Sequence, residues 1–204
     1  MDETFLDKTY DLTGTEATQA HYDAWAATYE AEIGENGYAT PSRVAEALRA
    51  MVSNTDLPTL DFGCGTGLAG LALRLRGFRA IDGTDISPEM LQQAEAKGFY
   101  HRLWLSDVND TPLFLHGSYP VIVAVGVIGI GGAPADTIDQ LMHLLPKGGL
   151  LAFSLNDKTL KDPAYECRVN NWVDPGAARL LFRESGPHLP KIGMTSTAYI
   201  LEKM

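Results

Sequence analysis

The residues best suited to chemistry are a run of glycines and three acids in the first half of the chain. Residues 60–70 read L-D-F-G-C-G-T-G-L-A-G, with four glycines within eight positions. Because glycine weakens helices and strands, this density predicts that the backbone approaches another body closely. Asp61 lies within the run, and Asp85 and Asp107 follow it further along the chain. The combination predicts a turn that binds a ligand.

Two kinds of cofactor compete for this turn. Residues 65–70, G-T-G-L-A-G, satisfy the G-x-G-x-x-G pattern of dinucleotide-binding proteins, and Asp85 lies 20 residues past Gly65, near the distance of a ribose-binding acid. Asp61, however, would repel a pyrophosphate, whereas a sulfonium or ammonium group would offset the cost of burying its charge. Asp107 follows the third predicted strand, within reach of an adenine edge. The acids favour a cationic nucleoside over a dinucleotide.

Helix and strand signals alternate from residue 40 onward, which predicts an α/β fold with helices on both faces of a mostly parallel sheet. Apolar residues at helical spacing predict four helices, which begin at Thr40-Pro41, Leu68, Ser87-Pro88 and Ile138. Short apolar runs predict seven strands, the last two forming a hairpin, at 57–62, 80–84, 100–105, 120–125, 149–155, 179–183 and 195–201.

The first 40 residues belong to none of these units. We expect a single domain over 1–204, in which 1–40 form a helical cap over one end of the sheet and 41–204 form the cofactor-binding core. Within the cap, Tyr22, Trp25, Ala26 and Tyr29 lie on one helical face. Such a stripe more often packs in the core than lines a ligand site, and both interpretations stay open.

Charge and composition exclude several classes of partner. The net charge is −10, and the first 40 residues hold nine acids against one lysine, whereas nucleic-acid-binding proteins need a basic face. No run approaches the roughly 20 apolar residues that span a bilayer. The acidic start M-D-E-T-F-L-D-K is unlike a secretory signal, which predicts a cytoplasmic protein without nucleic-acid or membrane partners. The two cysteines and five histidines show no metal-binding spacing, so no metal is expected.

The motifs together resemble those of class I S-adenosylmethionine-dependent methyltransferases. The likeness rests on D-F-G-C-G-T-G at 61–67, on Asp85 and Asp107, and on L-P-K-G-G at 145–149, which agree with the class in order and spacing. Y-D-A-W-A-A-T-Y at 22–29 is similar to the opening of the small-molecule "type 11" group, which includes the Williams–Beuren-region methyltransferase-like proteins. The resemblance implies a Rossmann-like three-layer sandwich and a seven-stranded, mostly parallel sheet in the order 3-2-1-4-5-7-6, with an N-terminal helical lid.

The resemblance also implies which residues bind S-adenosylmethionine and its product S-adenosylhomocysteine. Asp61 would hold the methionine part directly or through water, Asp85 would accept hydrogen bonds from the ribose hydroxyls, and Asp107 would accept one from the adenine amino group. The main chain of the glycine turn, an apolar contact to adenine and a tyrosine at the cofactor carboxylate complete the site. The expected cofactor-binding residues are Asp61, Gly63, Cys64, Gly65, Asp85, Ile86, Asp107, Val108 and Tyr29.

The expected activity is in-line transfer of a methyl group to a small-molecule acceptor. After the fourth strand, residues 126–132 read G-V-I-G-I-G-G, where methylases of nucleic-acid or glutamine amino groups carry N-P-P-Y-type residues. No residue declares itself as a general base, and His21 is the one conceivable candidate. A non-catalytic protein that binds the same cofactor is one alternative, and a nicotinamide-dependent oxidoreductase built on G-T-G-L-A-G is another.

Overall fold

The computed structural model describes residues 4–106 and 116–204, whose strands form one seven-stranded sheet. The strand order is β3-β2-β1-β4-β5-β7-β6, in which β7 runs antiparallel to both of its neighbours and all other pairs are parallel. The predicted fold and strand order are therefore confirmed. The strands are β1 (Thr59–Phe62), β2 (Ile81–Asp85), β3 (Arg102–Leu105), β4 (Val121–Ala124), β5 (Leu150–Asn156), β6 (Ala178–Leu189) and β7 (Met194–Lys203).

Helices pack on both faces of the sheet. The strand β4, V-I-V-A, is buried on both faces, so its residues alternate between two apolar clusters. One cluster joins the sheet to α7 and α8, and the other joins it to α4 and α5. Within the described ranges, no helix combines the length and apolar composition that crossing a bilayer requires. The helices are α1 (Phe5–Lys8), α2 (Thr15–Trp25), α3 (Tyr29–Glu35), α4 (Thr40–Met51), α5 (Leu68–Leu75), α6 (Pro88–Glu95), α7 (Thr137–Leu144) and α8 (Pro163–Val173).

The predicted capping residue is confirmed at Ser87, whereas the capping role predicted for Thr40 is wrong. Ser87 caps α6, because its hydroxyl accepts a hydrogen bond from the backbone N–H of Met90 at 3.1 Å. Thr40, expected as a cap, is instead the first residue of α4, and its buried hydroxyl makes tertiary hydrogen bonds to His188 and Ser196. A tertiary partner therefore replaces the local capping role at Thr40.

Two elements of the second half go beyond the sequence prediction. Helix α8 was not predicted, although Asp162 before Pro163 repeats the start signal of α6 and caps the helix through the N–H of Ala164 at 2.9 Å. Strand β6 runs well past the predicted 179–183, through Gly186 and Pro187. An edge strand tolerates proline, because an N–H on its outer side has no neighbouring strand to which it could donate a ladder hydrogen bond.

Several glycines near the turn make room for a tyrosine instead of a ligand. A Cβ on Gly70 would lie 2.6 Å from Cζ of Tyr100, and one on Gly83 would lie 3.0 Å from its Cε1. The Tyr100 hydroxyl donates a hydrogen bond to Oδ2 of Asp61 at 2.7 Å. The expectation that the whole glycine run serves a ligand is thus corrected. Part of it lets the Tyr100 ring reach the buried Asp61.

Gly70→Ala should therefore destabilise the protein by about 1–3 kcal/mol, the usual cost of overpacking, despite alanine's higher helix propensity. Gly34→Ala is the matched control, because Gly34 also lies in a helix and a Cβ there meets nothing within 4 Å. The control should gain up to about 1 kcal/mol. Urea unfolding measures both, and equal effects at the two positions would contradict the role assigned to Tyr100.

Candidate functional site

A cavity of about 520 Å³ opens at the carboxyl ends of β1, β2 and β4. It lies where the strand order reverses between β1 and β4, which is where open α/β sheets bind their ligands. Asp107 and Val108 lie outside the described residues, so their predicted roles have no structural account. The predicted cofactor residues that line the cavity are Tyr29, Gly63, Cys64, Gly65, Asp85 and Ile86.

Asp85 joins the glycine turn to the start of α6. Its Oδ2 accepts a hydrogen bond from the N–H of Gly65 at 2.7 Å, and its Oδ1 accepts one from the N–H of Ser87 at 2.9 Å. Burial raises the pKa of the Asp85 carboxyl, whereas these backbone donors lower it. Because each carboxylate oxygen can accept more than one hydrogen bond, the side chain keeps acceptor capacity toward the cavity. That capacity suits the two hydroxyls of a ribose.

Apolar side chains next to Asp85 form a wall suited to a flat base. Ile86 is the predicted member of this wall. Two others were not predicted from the sequence, the buried Met90 of α6 and Trp104 of β3. Met90 belongs to the apolar face of a helix that the Ser87-Pro88 signal had already located, so that face could have been read as cavity wall.

Asp61 is buried next to the glycine turn. Its side chain is fully buried, is held by Tyr100 and is not among the described residues that line the cavity. Burial raises the pKa of Asp61 to about 7, while the Tyr100 hydroxyl and the Gly70 N–H act in the opposite direction. Among the described residues, no group bonds its Oδ1. Tyr100 thus occupies Oδ2, and the predicted contact of Asp61 to the methionine part, directly or through water, stays a prediction for which Oδ1 is available.

The choice between the two kinds of cofactor consequently rests on the sheet and not on Asp61. Dinucleotide-binding sheets of the Rossmann type have six parallel strands in the order 3-2-1-4-5-6. Here an antiparallel seventh strand is inserted between β5 and β6. This arrangement is the one implied by the methyltransferase resemblance.

The N-terminal helices cover the cavity, and side-chain hydrogen bonds and an ion pair hold them against the residues below it. The Ser87 hydroxyl donates a hydrogen bond to Asp23 of α2. Lys97 pairs with Glu30 of α3 at 2.5 Å and also donates to the carbonyl of Thr66 in the glycine turn at 2.6 Å. These contacts give acids of the N-terminal segment specific partners, where the sequence suggested only a charged surface.

The aromatic stripe of α2 and α3 divides between two roles. Trp25 and Ala26 are buried, and Trp25 lies in an apolar cluster and also lines a smaller adjoining space, whereas Tyr22 and Tyr29 line the main cavity. Burial raises the pKa of both tyrosines, so their hydroxyls stay protonated at neutral pH. His21, the one conceivable base, bonds Thr9 through Nε2 at 3.1 Å and is not among the described lining residues. Its ring is a packing element of the cap.

A second, smaller chamber of about 60 Å³ adjoins the main cavity. It lies between the cap and the loop after β4, and its far wall includes Asn156 of β5 and His188 of β6. A Cβ on Gly129 would lie 2.5 Å from Oγ1 of Thr159, so the G-V-I-G-I-G-G loop is glycine-rich partly because it packs closely. The residues that line both spaces are Tyr22, Tyr29, Tyr38, Gly126, Val127 and Gly132.

The fold and the cavity agree with a known protein family. A family model described as a methyltransferase domain matches residues 37–189, which is 153 of the 204 residues. The chain therefore belongs to the class I S-adenosylmethionine-dependent methyltransferases, and the predicted membership and cofactor are confirmed.

Individual relatives agree with this assignment. Human "Methyltransferase-like protein 27" is 34% identical over 136 residues, covering 65% of this chain and 55% of that protein. The ribosomal protein L11 methyltransferase of Cellvibrio japonicus is 31% identical over 102 residues, covering 49% of this chain and 34% of that protein. The chain thus matches about half or less of these relatives' length.

A solved structure extends the agreement in fold to nearly the whole chain. The magnesium protoporphyrin IX methyltransferase of Synechocystis PCC 6803, solved with bound S-adenosylmethionine, matches with a TM-score of 0.58 and 16% identity. The match covers 98% of this chain and 90% of that one, so the N-terminal segment takes part in it. At this identity the likeness concerns the fold alone.

The raised pKa of Asp61 predicts a pH-dependent stability. Between its usual value of 3.8 and about 7, the folded state holds a proton that the unfolded state has released, so the free energy of unfolding falls as pH rises. The shift in the Asp61 pKa corresponds to a fall of about 2–4 kcal/mol in the free energy of unfolding across this pH range. Asp61→Asn removes the proton but keeps an oxygen for Tyr100, so urea unfolding of the variant at pH 5 and pH 8 should lack this component.

The comparison with wild type reports Asp61 together with its charge interaction with Asp85, the other buried acid of the site. An equal fall in stability between the two pH values in wild type and variant would contradict the placement of Asp61.

Proposed function

We propose that this protein transfers the methyl group of S-adenosylmethionine to a small-molecule acceptor by in-line displacement. The observation that carries the proposal is the adjoining pair of spaces, a cofactor-sized cavity at the strand ends and a small chamber beside it, both lined in part by residues of the cap. When bound, the cofactor supplies a methyl group on a sulfonium, which is an activated leaving group.

The residues of the main cavity fit this cofactor. Its volume of about 520 Å³ falls within the range of roughly 300–1,000 Å³ usual for small-molecule and cofactor sites. Asp85 offers acceptor capacity for ribose hydroxyls, and the Ile86 side chain offers an apolar surface for adenine. The main chain of Gly63 to Gly65 forms the adjoining floor, where a Cβ on Gly65 would meet nothing within 4 Å.

The chain's own contribution to the chemistry would be alignment and exclusion of water. Tyr22 and Tyr29 lie where the two spaces meet, so they would orient both reactants. Fixed orientation alone can lower a barrier by about 7–11 kcal/mol in favourable cases. The cap contacts through Asp23 and Glu30 would keep the roof closed over the reacting groups.

The size and lining of the chamber support a small acceptor. It holds only about 60 Å³ and is roofed by the cap, so a folded protein or a nucleic-acid strand would have to displace the cap to enter. The acidic N-terminal segment, at nine acids against one lysine, would also repel phosphates. The L11 methyltransferase relative is named for a protein substrate, so a macromolecular acceptor is the alternative to test.

Turnover of labelled S-adenosylmethionine separates the candidate activities. Label transferred to members of a small-metabolite panel, and not to ribosomal protein L11 or bulk RNA, is the expected result. Transfer only to the macromolecules would overturn the small-acceptor proposal. Binding of S-adenosylhomocysteine without turnover on any acceptor would favour a non-catalytic cofactor-binding protein.

Asp85→Asn should weaken binding of S-adenosylhomocysteine by about 1–3 kcal/mol, because an amide loses acceptor capacity toward both the backbone donors and the ribose. Glu89→Gln is the control, since it removes the same charge from an exposed position on α6 outside the lining of the cavity. Isothermal titration calorimetry measures both affinities, with NAD as a second titrant that should give no heat. Unchanged affinity in Asp85→Asn would remove Asp85 from the cofactor site.

A further inference from the structure

His188 is the one titratable imidazole among the described residues that line the small chamber. It lies near the end of β6, is almost fully buried, and packs edge-on against Tyr38 with ring centroids 5.2 Å apart. No role was predicted for His188 from the sequence, because the strand that carries it was predicted to end earlier. Its surroundings determine which hydrogen-bonding group it presents to the chamber.

A chain of hydrogen bonds reaches His188 from a permanent cation. Nη1 of the Arg43 guanidinium lies 3.2 Å from Oγ of Ser196 and also donates to the carbonyl oxygens of Ser196 at 3.1 Å and Pro187 at 3.2 Å. Oγ of Ser196 lies 2.8 Å from Oγ1 of Thr40, which in turn lies 2.8 Å from Nδ1 of His188. Thr40 and Ser196 are both fully buried, so bulk water does not reach their hydroxyls.

The guanidinium sets the direction of every bond in this chain. Arginine only donates, so the Ser196 oxygen accepts from Arg43 and must place its own proton on Thr40. Thr40 then directs its proton to Nδ1 of His188. The opposite direction would leave the Ser196 hydroxyl proton without an acceptor among the described residues, at the cost of an unsatisfied buried donor.

An imidazole that accepts at Nδ1 carries its proton on Nε2 while it is neutral. Burial lowers the pKa of His188 to about 4, with the charges of Asp157 and Arg43 acting in opposite directions, so the ring is neutral at physiological pH. No hydrogen-bond partner of Nε2 occurs in the described part of the chain. The ring therefore presents an N–H donor to the chamber it lines.

The side chain of Asn156, like that of His188, offers a hydrogen-bond donor to the chamber. Its Oδ1 accepts a hydrogen bond from the backbone N–H of Thr159 at 2.8 Å, which leaves the amide nitrogen as the donor of that side chain. No described lining residue of the chamber carries a charge at neutral pH. Asp157, whose charge reaches His188, is not among them. The polar groups of the chamber are thus uncharged and include two directed donors.

We propose that His188 determines acceptor specificity by donating from Nε2–H to an uncharged oxygen of the methyl acceptor, which makes a small uncharged molecule with a hydrogen-bond-accepting oxygen the substrate class. This inference rests on the proposed function, because it takes the small chamber as the acceptor subsite. An ammonium group would find no acceptor at Nε2. An ionised carboxylate would be buried without a cation to offset it. His188 would thus position the acceptor and would not remove its proton.

The tautomer can be measured directly. Long-range ¹H–¹⁵N correlation NMR of the protein with S-adenosylhomocysteine assigns the protonated ring nitrogen, and His188→Gln identifies the His188 signals by their loss. We expect the Nε2–H tautomer in wild type and a mixture of tautomers in Thr40→Val, which removes the hydroxyl at constant shape. Nδ1–H as the main wild-type tautomer would overturn the proposal, and so would a tautomer ratio that Thr40→Val leaves unchanged.

Small probes test the recognition itself. Acetamide should shift the Nε2 resonance of His188, and ethylammonium at the same concentration should not. His188→Met should weaken acetamide binding roughly three- to tenfold, the worth of one neutral hydrogen bond, whereas His188→Gln keeps an amide donor and should recover most of it. Equal acetamide affinity in wild type and His188→Met would overturn the inference.

The two proposals fail in different ways. Calorimetry with S-adenosylhomocysteine should give the same affinity for wild type and both His188 variants, since His188 does not line the main cavity. A wild-type protein that binds no S-adenosylhomocysteine would refute the proposed function. A protein that binds it, but shows no discrimination between acetamide and ethylammonium, would refute only the role of His188.

Discussion

The site depends on the hydrogen bonds that the Asp85 carboxylate accepts. Through the N–H groups of Gly65 and Ser87 it fixes the turn after β1 and the start of α6 against the end of β2. Ser87 extends this connection to the cap, because its hydroxyl bonds Asp23. One buried acid thus positions the floor of the cavity, one of its walls and the attachment of its roof. A ligand that engages Asp85 contacts the centre of this network.

A second buried acid supports the turn from behind. Asp61 pairs with Tyr100, whose ring lies against Gly67, Gly70 and Gly83. The glycine run therefore serves two neighbours, the tyrosine on one side and the cavity on the other. This double constraint explains a glycine density that exceeds what the cofactor pattern alone requires.

Regular signals in the sequence predicted the alternation of helices and strands, the resemblance to the methyltransferase class implied the strand order, and tertiary contacts account for what both missed. Alternating apolar runs gave the seven strands, and Ser87-Pro88 gave the start of α6, because both are local effects. The side to which Asp61 points depends on the strand register and on the distant Tyr100, so its role could not be read locally. His188 was missed because β6 continues through Gly186-Pro187, a pair that usually signals a turn. Asp162-Pro163 did carry a readable signal for α8.

The most direct test of the central claim is a crystal structure of the protein soaked with S-adenosylhomocysteine. The account predicts that the ribose hydroxyls bond Asp85, that the base packs on Ile86, and that the sulfur faces the small chamber beside Tyr29. Density for the ligand elsewhere, or a ribose without contact to Asp85, would contradict it.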